Sequence, residues 1–470
     1  MKIHPHEYEI LLRSDLSTFF ERCFADIAPG STYLYNWHIS LIAHHLERCR
    51  LGLTKRLIIN IPPRNMKSIC ASVAFTAWLL GHNPRTQIIA ASYGQELATK
   101  HARDTRAIMQ SSWYQKLFPT RLNPKQLGID NFATTQKGGR LATSVGGVIT
   151  GLGADFIILD DPLKPEEAMS ETSRNKTNEW FDSTLYSRLN NKTNGCIIII
   201  MQRLHEDDIV GHVLEQEEWE IVRLPAIAQT DETHHFLCPV RGPQVVYRRQ
   251  GEALHPAREP LHVLESLRQR MGTFNFAGQY QQIPAPAEGA LVKREWLRFY
   301  STKPVKFDRI IQSWDTANKV SELCDYSVCT TWGMLGKNVY LLHVMREKLE
   351  FPDLKRKVAS MMHAYSTDLA LIEDRASGTQ LIQELQREGW NIQAISPEND
   401  KVMRMHTQTP MFENGRVYLP ESAPWLDPYI HEICTFPSSK HNDQVDSTTQ
   451  ALTWMNQAAH YGDQFRIRVI

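Results

Sequence analysis

The sequence predicts an α/β protein in two parts, a parallel-sheet domain followed by a mixed-sheet domain. Three observations carry that expectation. Residues 56–68, RLIINIPPRNMKS, read as an apolar β-branched strand, a Pro-rich turn, and Lys67-Ser68 at the start of an apolar helical pattern. Residues 156–161, FIILDD, are a second apolar run that ends in two acids. Further on, 309–315 (RIIQSWD) and 369–374 (LALIED) are strand-length runs that also end in acids. A chain of 470 residues has room for two or three domains, each with its own core.

Composition narrows the class. With 42% hydrophobic and 22% charged residues and no low-complexity tract, the chain reads as globular rather than disordered. Its formal charge is zero, so a nucleic-acid partner has to be held by local basic faces. No apolar stretch approaches the roughly 18–20 residues that span a bilayer, and the N-terminal MKIHPHEYEI does not read as a signal peptide. The eight cysteines form no CxxC pair and sit mostly in apolar runs. They read as small core residues in a reducing cytoplasm rather than as a zinc site.

In chain order, residues 6–28 have helical spacing, and Trp37-His38 opens a second helix that runs to about residue 50. One helix upstream of a phosphate-binding turn, Trp37 and His38 are candidates for stacking on a base; core packing is the plainer use of such aromatics. The turn itself has the layout of a phosphate loop. In that layout loop amides and a helix N-terminus cradle phosphates, Lys67 meets their charge, and the Ser68 hydroxyl ligates Mg²⁺. The glycines of that pattern would fall at 61 and 66, where this chain has Ile61 and Met66.

Residues 87–92 (QIIAAS) read as the next strand, followed by a helix with Lys100, Arg103 and Arg106 near one face. That face is either solvated or turned toward DNA. Residues 137–153 are glycine-rich and read as turns. In the strand that follows, Asp160 is placed to hold Mg²⁺ and Asp161 to polarise the attacking water, because acids at a buried strand end need a cation to offset desolvation. The run 196–201 is another buried strand, and Gln202 at its end is placed to sense the γ-phosphate. From 224 to 300 periodicity fades apart from a helix near 261–271 and a turn at 283–286, which reads as a lid or connector.

From residue 307 the pattern changes to strands at 309–315, 326–332 and 339–344, a helix at 354–364, a strand at 369–374, and a C-terminal helix opening at HNDQVD, 441–446. One acid on a first strand, one on a later strand and one at a late helix start is the order in which an RNase H-type nuclease assembles its carboxylates. Such acids repel one another, and two divalent ions relieve the repulsion while acting on a phosphodiester.

Together these segments resemble the large terminase subunit of tailed bacteriophages. The resemblance rests on IPPRNMKS at 61–68, ITGLGADFIILDDPLK at 149–164, IIIMQRLHEDD at 198–208 and FAGQYQQIPAPAEGALVKREWLRFY at 276–300. It continues through SWDTA at 313–317, LIEDRASGTQLIQEL at 371–385 and HNDQVDSTTQAL at 441–452. It implies a P-loop NTPase parallel-sheet domain at 1–225, a lid or linker at 226–305, and an RNase H-like mixed-sheet nuclease domain at 306–470. The implied activity is ATP-driven movement of viral double-stranded DNA into a prohead, with metal-dependent cutting of concatemers.

Position by position, the resemblance implies ATP binding by Trp37, His38, Arg64, Asn65, Met66, Lys67, Ser68 and Gln202, with Mg²⁺ on Ser68 and Asp160 and Asp161 as the catalytic carboxylate. Asp315, Glu373 and Asp443 match the nuclease acids, which would hold two Mg²⁺ or Mn²⁺ ions; Asp374 and Asp446 are alternatives, because neighbouring strand residues face opposite ways. Arg140 is a candidate arginine finger acting in trans, and Arg64 one acting in cis. Lys401 and Arg404 join Lys100, Arg103 and Arg106 as candidate DNA contacts. The implied partners are the portal protein, the terminase small subunit and further copies in a ring, expected to be a pentamer on the portal and a monomer in solution. The expected location is the bacterial host cytoplasm and, transiently, the prohead. Besides Met66, Asp161 stands where many such motors have Glu, and Asn442 where a related pattern has Asp. A cellular helicase-nuclease and a non-catalytic prophage subunit are the two other readings of the same residues.

Overall fold

The computed structural model describes residues 4–149, 151–284, 291–316, 326–375, 377–397, 400–437 and 442–466. Ala285 and Pro286 of the expected turn, and His441 ahead of the last helix, lie outside these residues. The chain divides into two compact units, Met1–Pro286 and Ala287–Ile470. Of the segment 226–305, the part up to Pro286 groups with the first unit and the rest with the second.

The first unit is built on eight strands: β1 (Arg56–Asn60), β2 (Gln87–Ser92), β3 (Leu122–Leu127), β4 (Asn131–Thr134), β5 (Gly139–Ser144), β6 (Phe156–Asp160), β7 (Cys196–Met201) and β8 (Glu220–Arg223). They lie in the order β3-β4-β5-β2-β6-β7-β1-β8. From β5 to β8 every pairing is parallel, while β3 and β4 extend the sheet antiparallel. Alternate residues of these strands enter two different cores. Ile59, Ile88, Ile158, Ile198 and Ile200 pack on one face; Ile58, Ile89, Ile157, Ile197 and Ile199 pack on the other. A sheet covered on both faces is why its strands read as unbroken apolar runs.

Three local readings change. The single helix expected over 6–28 is two, Pro5–Ser14 and Leu16–Ile27. Asp15 divides them, its carboxylate accepting from the Ser17 and Thr18 amides at 3.3 and 3.0 Å as an N-cap. The glycine-rich stretch at 137–153 contains β5. A Cβ on Gly138 would stand 2.4 Å from the Pro84 carbonyl oxygen, and one on Gly139 2.4 Å from that of Phe132. Those glycines serve close backbone approach within a sheet, not turning. The region of faded periodicity holds a hairpin, β9 (Glu232–Cys238) with β10 (Gly242–Arg248), ahead of the expected helix at Leu261–Met271. Both hairpin strands alternate between exposed and half-buried positions over most of their length, so their hydrophobic signal is weak.

The second unit holds β11 (Arg298–Tyr300), β12 (Arg309–Asp315), β13 (Ser327–Leu335), β14 (Asn338–Glu347), β15 (Leu369–Glu373), β16 (Ile392–Ile395) and β17 (Val417–Pro420), ordered β11-β17-β14-β13-β12-β15-β16. β12, β13 and β14 form an antiparallel meander, and β15 and β16 add parallel to β12. The last helix, Asp443–Arg466, is pinned across the sheet by Ser447. Its hydroxyl donates to the Ser313 carbonyl at 2.8 Å and accepts from the Thr330 amide at 3.1 Å. Among the described residues no helix is long and apolar enough to cross a membrane.

Candidate functional site

In the first unit, strand register aligns the chemistry. Asn60 is paired with Met201, Ile200 with Asp160, and Asp160 with Ser92, so the loops after β1, β6, β7 and β2 leave the sheet at one level. Ligands of parallel sheets bind at that carboxyl edge. The loop after β1 curls tightly. Arg64 and Met66 both have φ 61°, and the buried Asn65 amide donates to the carbonyls of Pro62 and Pro63 at 3.4 and 3.2 Å. Met66 therefore adopts the left-handed backbone that glycine would take freely, at a conformational cost of about 1 kcal/mol. Packing of its side chain against the apolar core helps hold it there.

The helix that follows begins in π-form, Ile69–Phe75, and continues as α-helix through Thr76–His82. Ser68 Oγ donates to Asp160 Oδ1 at 2.9 Å, and Ser72 Oγ donates to Asp160 Oδ2 at 2.7 Å. Lys67 Nζ lies 2.8 Å from Asp161 Oδ1, and the Gln202 backbone N–H donates to the same oxygen at 3.3 Å. Asp161 also has a left-handed backbone, φ 44°, which turns its carboxylate back over the loop. Burial pushes both acids up from the usual carboxylate range, and the Lys67 ammonium opposes it. Lys67, Ser68, Asp160, Asp161 and Gln202 are thus brought together.

Two residues here were not singled out by sequence, Ser72 and His101. His101 Nδ1 stands 3.5 Å from Asp160 Oδ2, and burial pushes the imidazole down to about 4, so it is neutral at pH 7. The buried face of its helix, Gln95–Gln110, includes Ala98, His101, Ala102 and Thr105. Small and polar residues on the buried face of an amphipathic pattern are the signal that marks them.

The other candidates fall differently. Trp37 packs against His234 of the hairpin, ring centroids 4.8 Å apart and planes tilted by 32°. His38 is buried, its Nδ1 2.6 Å from Asn36 Nδ2, and burial pushes it down to about 3. Arg64 is exposed. Arg140 requires a correction: it is 1% exposed on β5, where burial lowers it to about 10 and Asp160, Asp130 and Asp104 sustain its charge. A guanidinium sunk in its own subunit is not presented to a neighbouring one. On the helix Gln95–Gln110 the exposed Lys100 pairs with Asp104 at 3.0 Å, Arg106 donates to the Leu127 carbonyl at 2.9 Å, and Arg103 is exposed.

In the second unit β12 and β15 are adjacent and parallel, with Trp314 opposite Ile372, so Asp315 and Glu373 end their strands side by side. Asp443 sits one helical turn before Ser447, which is anchored to Ser313. Burial, then Asp446 and Glu373, push Asp315 up to about 8, with Asp443 adding to the effect. Mutual repulsion of buried acids is what a divalent cation relieves, so this donor set fits one.

Among the described residues no group of three or more His, Cys, Asp and Glu side chains is drawn together as a metal cage. Cations instead stand against the acids: Arg346 Nη2 lies 3.4 Å from Asp443, and Arg375 Nε 3.2 Å from Glu373. Asp446 is buried and held by Lys401 and by Arg404 Nη2 at 2.6 Å. Lys401 also donates to Asn442 Oδ1 at 2.8 Å. The expectation that Lys401 and Arg404 face the DNA backbone is corrected accordingly: both heads are turned onto Asp446. Asp374 is exposed and accepts from Thr379 Oγ1 at 2.7 Å.

A phosphate loop facing an acid-ended strand in one unit, and strand-end carboxylates on a mixed sheet in the next, define an ATPase joined to an RNase H-like domain. Residues 58–299 match the family model of the terminase large subunit, T4likevirus-type, N-terminal, and residues 312–454 match that of the terminase RNaseH-like domain. The chain belongs to the terminase large-subunit family, the phage packaging ATPases with a nuclease domain. Its fold is similar to that of the large terminase from a thermophilic bacteriophage. One crystal form of that protein aligns with a TM-score of 0.52 at 12% identity, over 87% of this chain and 97% of that one. Its complex with ATP-gamma-S aligns with a TM-score of 0.51 at 12% identity, over 87% and 98%. At such identity the likeness speaks for the fold. No curated protein matches the chain by sequence.

Proposed function

We propose that Mg·ATP binds at Lys67, Ser68 and Asp160 and that Asp161 orients the water that attacks the γ-phosphate. The observation that carries this is the paired contact Lys67–Asp161 and Ser68–Asp160 across two strands that are not neighbours. Phosphates entering the loop compete with Asp161 for the Lys67 ammonium. As Lys67 turns to them, the Asp161 carboxylate is released toward water. The Mg²⁺ ion supplies charge neutralisation at the phosphates; Ser68 and Ser72 hold the Asp160 oxygens in place for it.

Release of Asp161 is sensed at Gln202, whose backbone N–H it binds. The next amide, Arg203, donates to Gln282 Oε1 at 3.0 Å, so the 226–305 connector is hydrogen-bonded directly beyond the sensing residue. That chain of contacts supports a coupling of hydrolysis to movement of the connector and of a DNA-facing surface that includes Arg103.

In the second unit Asp315, Glu373 and Asp443 are the acids assigned to hold divalent ions. Ions bound there supply an activated water and charge for the leaving oxygen. Arg346 and Arg375, now paired with two of those acids, are freed toward phosphate as the acids take up cations. The wider assembly follows from the same reading: a ring of copies on the portal, double-stranded viral DNA delivered with the terminase small subunit, and action in the host cytoplasm. DNA uptake into portal-bearing proheads is the test. ATP-dependent uptake lost in Lys67→Ala is expected; unwinding of free duplex with no dependence on proheads overturns the packaging role.

A further inference from the structure

The second unit carries a cavity of about 360 Å³ between β16, the helix Lys401–Glu413 and the last helix. Among the described residues its wall mixes amides and hydroxyls with the apolar Ile395 and Pro397, the Trp454 indole and the Arg404 guanidinium. Gln408 is 2% exposed; its Nε2 donates to Thr453 Oγ1 at 3.0 Å, and its Oε1 has no hydrogen-bond partner among the described residues. Arg404 spends Nη2 on Asp446, while its Nε is likewise unpartnered among the described residues. Trp454 Nε1 donates to Gln393 Oε1 at 2.9 Å. A buried amide oxygen without a donor is a costly feature, and a ligand edge carrying N–H groups answers it.

The cavity's position matters as much as its chemistry. Arg404 and Gln450 belong to its wall, and both reach the acids' surroundings: Arg404 binds Asp446, and Gln450 Nε2 donates to Ser313 Oγ at 3.1 Å, two residues before Asp315. A helical rise of about 1.5 Å per residue carries Gln450, Trp454 and Gln457 from roughly 6 to 17 Å along the last helix from Asp446. We propose that this cavity seats one unpaired nucleobase of the DNA strand being cut, its edge met by the Gln408 and Gln450 amides and its face by Trp454. Neutral donors and acceptors beside an indole match a base, whereas Arg404, the one cation of the wall among the described residues, is ion-paired with Asp446. The proposal rests on the nuclease reading of the neighbouring acids.

The test uses the full-length protein and short single-stranded oligonucleotides in which one abasic site is walked along the strand, with binding measured in EDTA so that cleavage is not needed. Wild type is expected to lose about tenfold in affinity at one abasic position, the scale of one base stacked on one aromatic side chain. Trp454→Ala should be indifferent to that position while keeping its melting temperature, and Gln457→Ala at the rim serves should Trp454→Ala fail to fold. With Mn²⁺, Gln408→Leu should change which base flanks the cuts. A flat abasic walk in wild type overturns the proposal even if cleavage proceeds. A positive walk with no cleavage removes only the nuclease reading. Free deoxynucleoside monophosphates that compete as well as the strand overturn the assignment to a strand base.

Discussion

Lys67 Nζ lies 2.8 Å from Asp161 Oδ1, so the cation proposed to bind phosphate and the acid proposed to orient water are ion-paired with each other. Lys67 is also 5% exposed, and burial raises the Asp161 pKa while Lys67 lowers it. Breaking one partner leaves the other charge buried and uncompensated, which costs more than the pair contributes. Lys67→Ala is therefore expected to lower ATP turnover by at least about 100-fold and to weaken nucleotide binding. Asp161→Asn is expected to abolish turnover with nucleotide binding retained. Equilibrium binding of a non-hydrolysable analogue, measured beside steady-state hydrolysis, separates the two outcomes; turnover persisting in Asp161→Asn removes the assignment.

Met66 is expected to tolerate glycine. Relief of the left-handed backbone contributes about 1 kcal/mol, while the lost packing and the freer unfolded chain together cost a similar amount. Met66→Gly should leave the KM for ATP within about threefold of wild type. Met66→Ile puts a β-branched side chain into the same φ and should destabilise by roughly 1–2 kcal/mol more. A KM that improves tenfold or more in the glycine variant would show that Met66 holds the loop open.

Asp315 is expected to be a site where function opposes stability. Its folded pKa, about 8, lies above the unfolded value, so the native state binds the proton more tightly and stability falls as pH rises from about 4 to about 8. In EDTA at pH 8, Asp315→Asn should raise stability, on the order of 1–3 kcal/mol, because it removes a buried charge among other acids. At pH 4 the gain should vanish. The same variant should abolish plasmid cleavage with Mn²⁺ and leave ATP hydrolysis intact. Thermal melts across pH test the first part, and equal melting temperatures at pH 8 would count against acid clustering around Asp315.

Arg140 separates a buried positioning role from one in trans. Its removal takes one buried cation from beside Asp160 and leaves Lys67 to oppose the burial of that acid alone, so Arg140→Ala should lower the melting temperature and nucleotide affinity of the isolated monomer, by roughly 2–4 kcal/mol in stability. A finger acting in trans would leave both unchanged and lower turnover only in the assembled ring. Melting and analogue binding on monomer decide between them.

Much of this protein is legible in its sequence, for a local reason. β1, β6 and β7 are covered on both faces, so each appears as an apolar run, and each ends where the polar chemistry begins, at the Pro-rich turn, at Asp160-Asp161 and at Gln202. The acids closing β12 and β15 are marked the same way. What tertiary structure alone decided is where charge is spent. Glu373 ends its strand beside Asp315 while Asp374 bonds Thr379 at the surface, a choice that strand alternation leaves open until the pairing register is known. Lys401 and Arg404 have the spacing of a DNA-facing pair, yet a helix remote in sequence brings Asp446 between them. Arg140 lies in a glycine-rich stretch that reads as loop, and sheet pairing buries it. Composition and periodicity report how each segment meets water; the partner of a buried charge is set by chain segments tens to hundreds of residues away, and only the assembled fold supplies it.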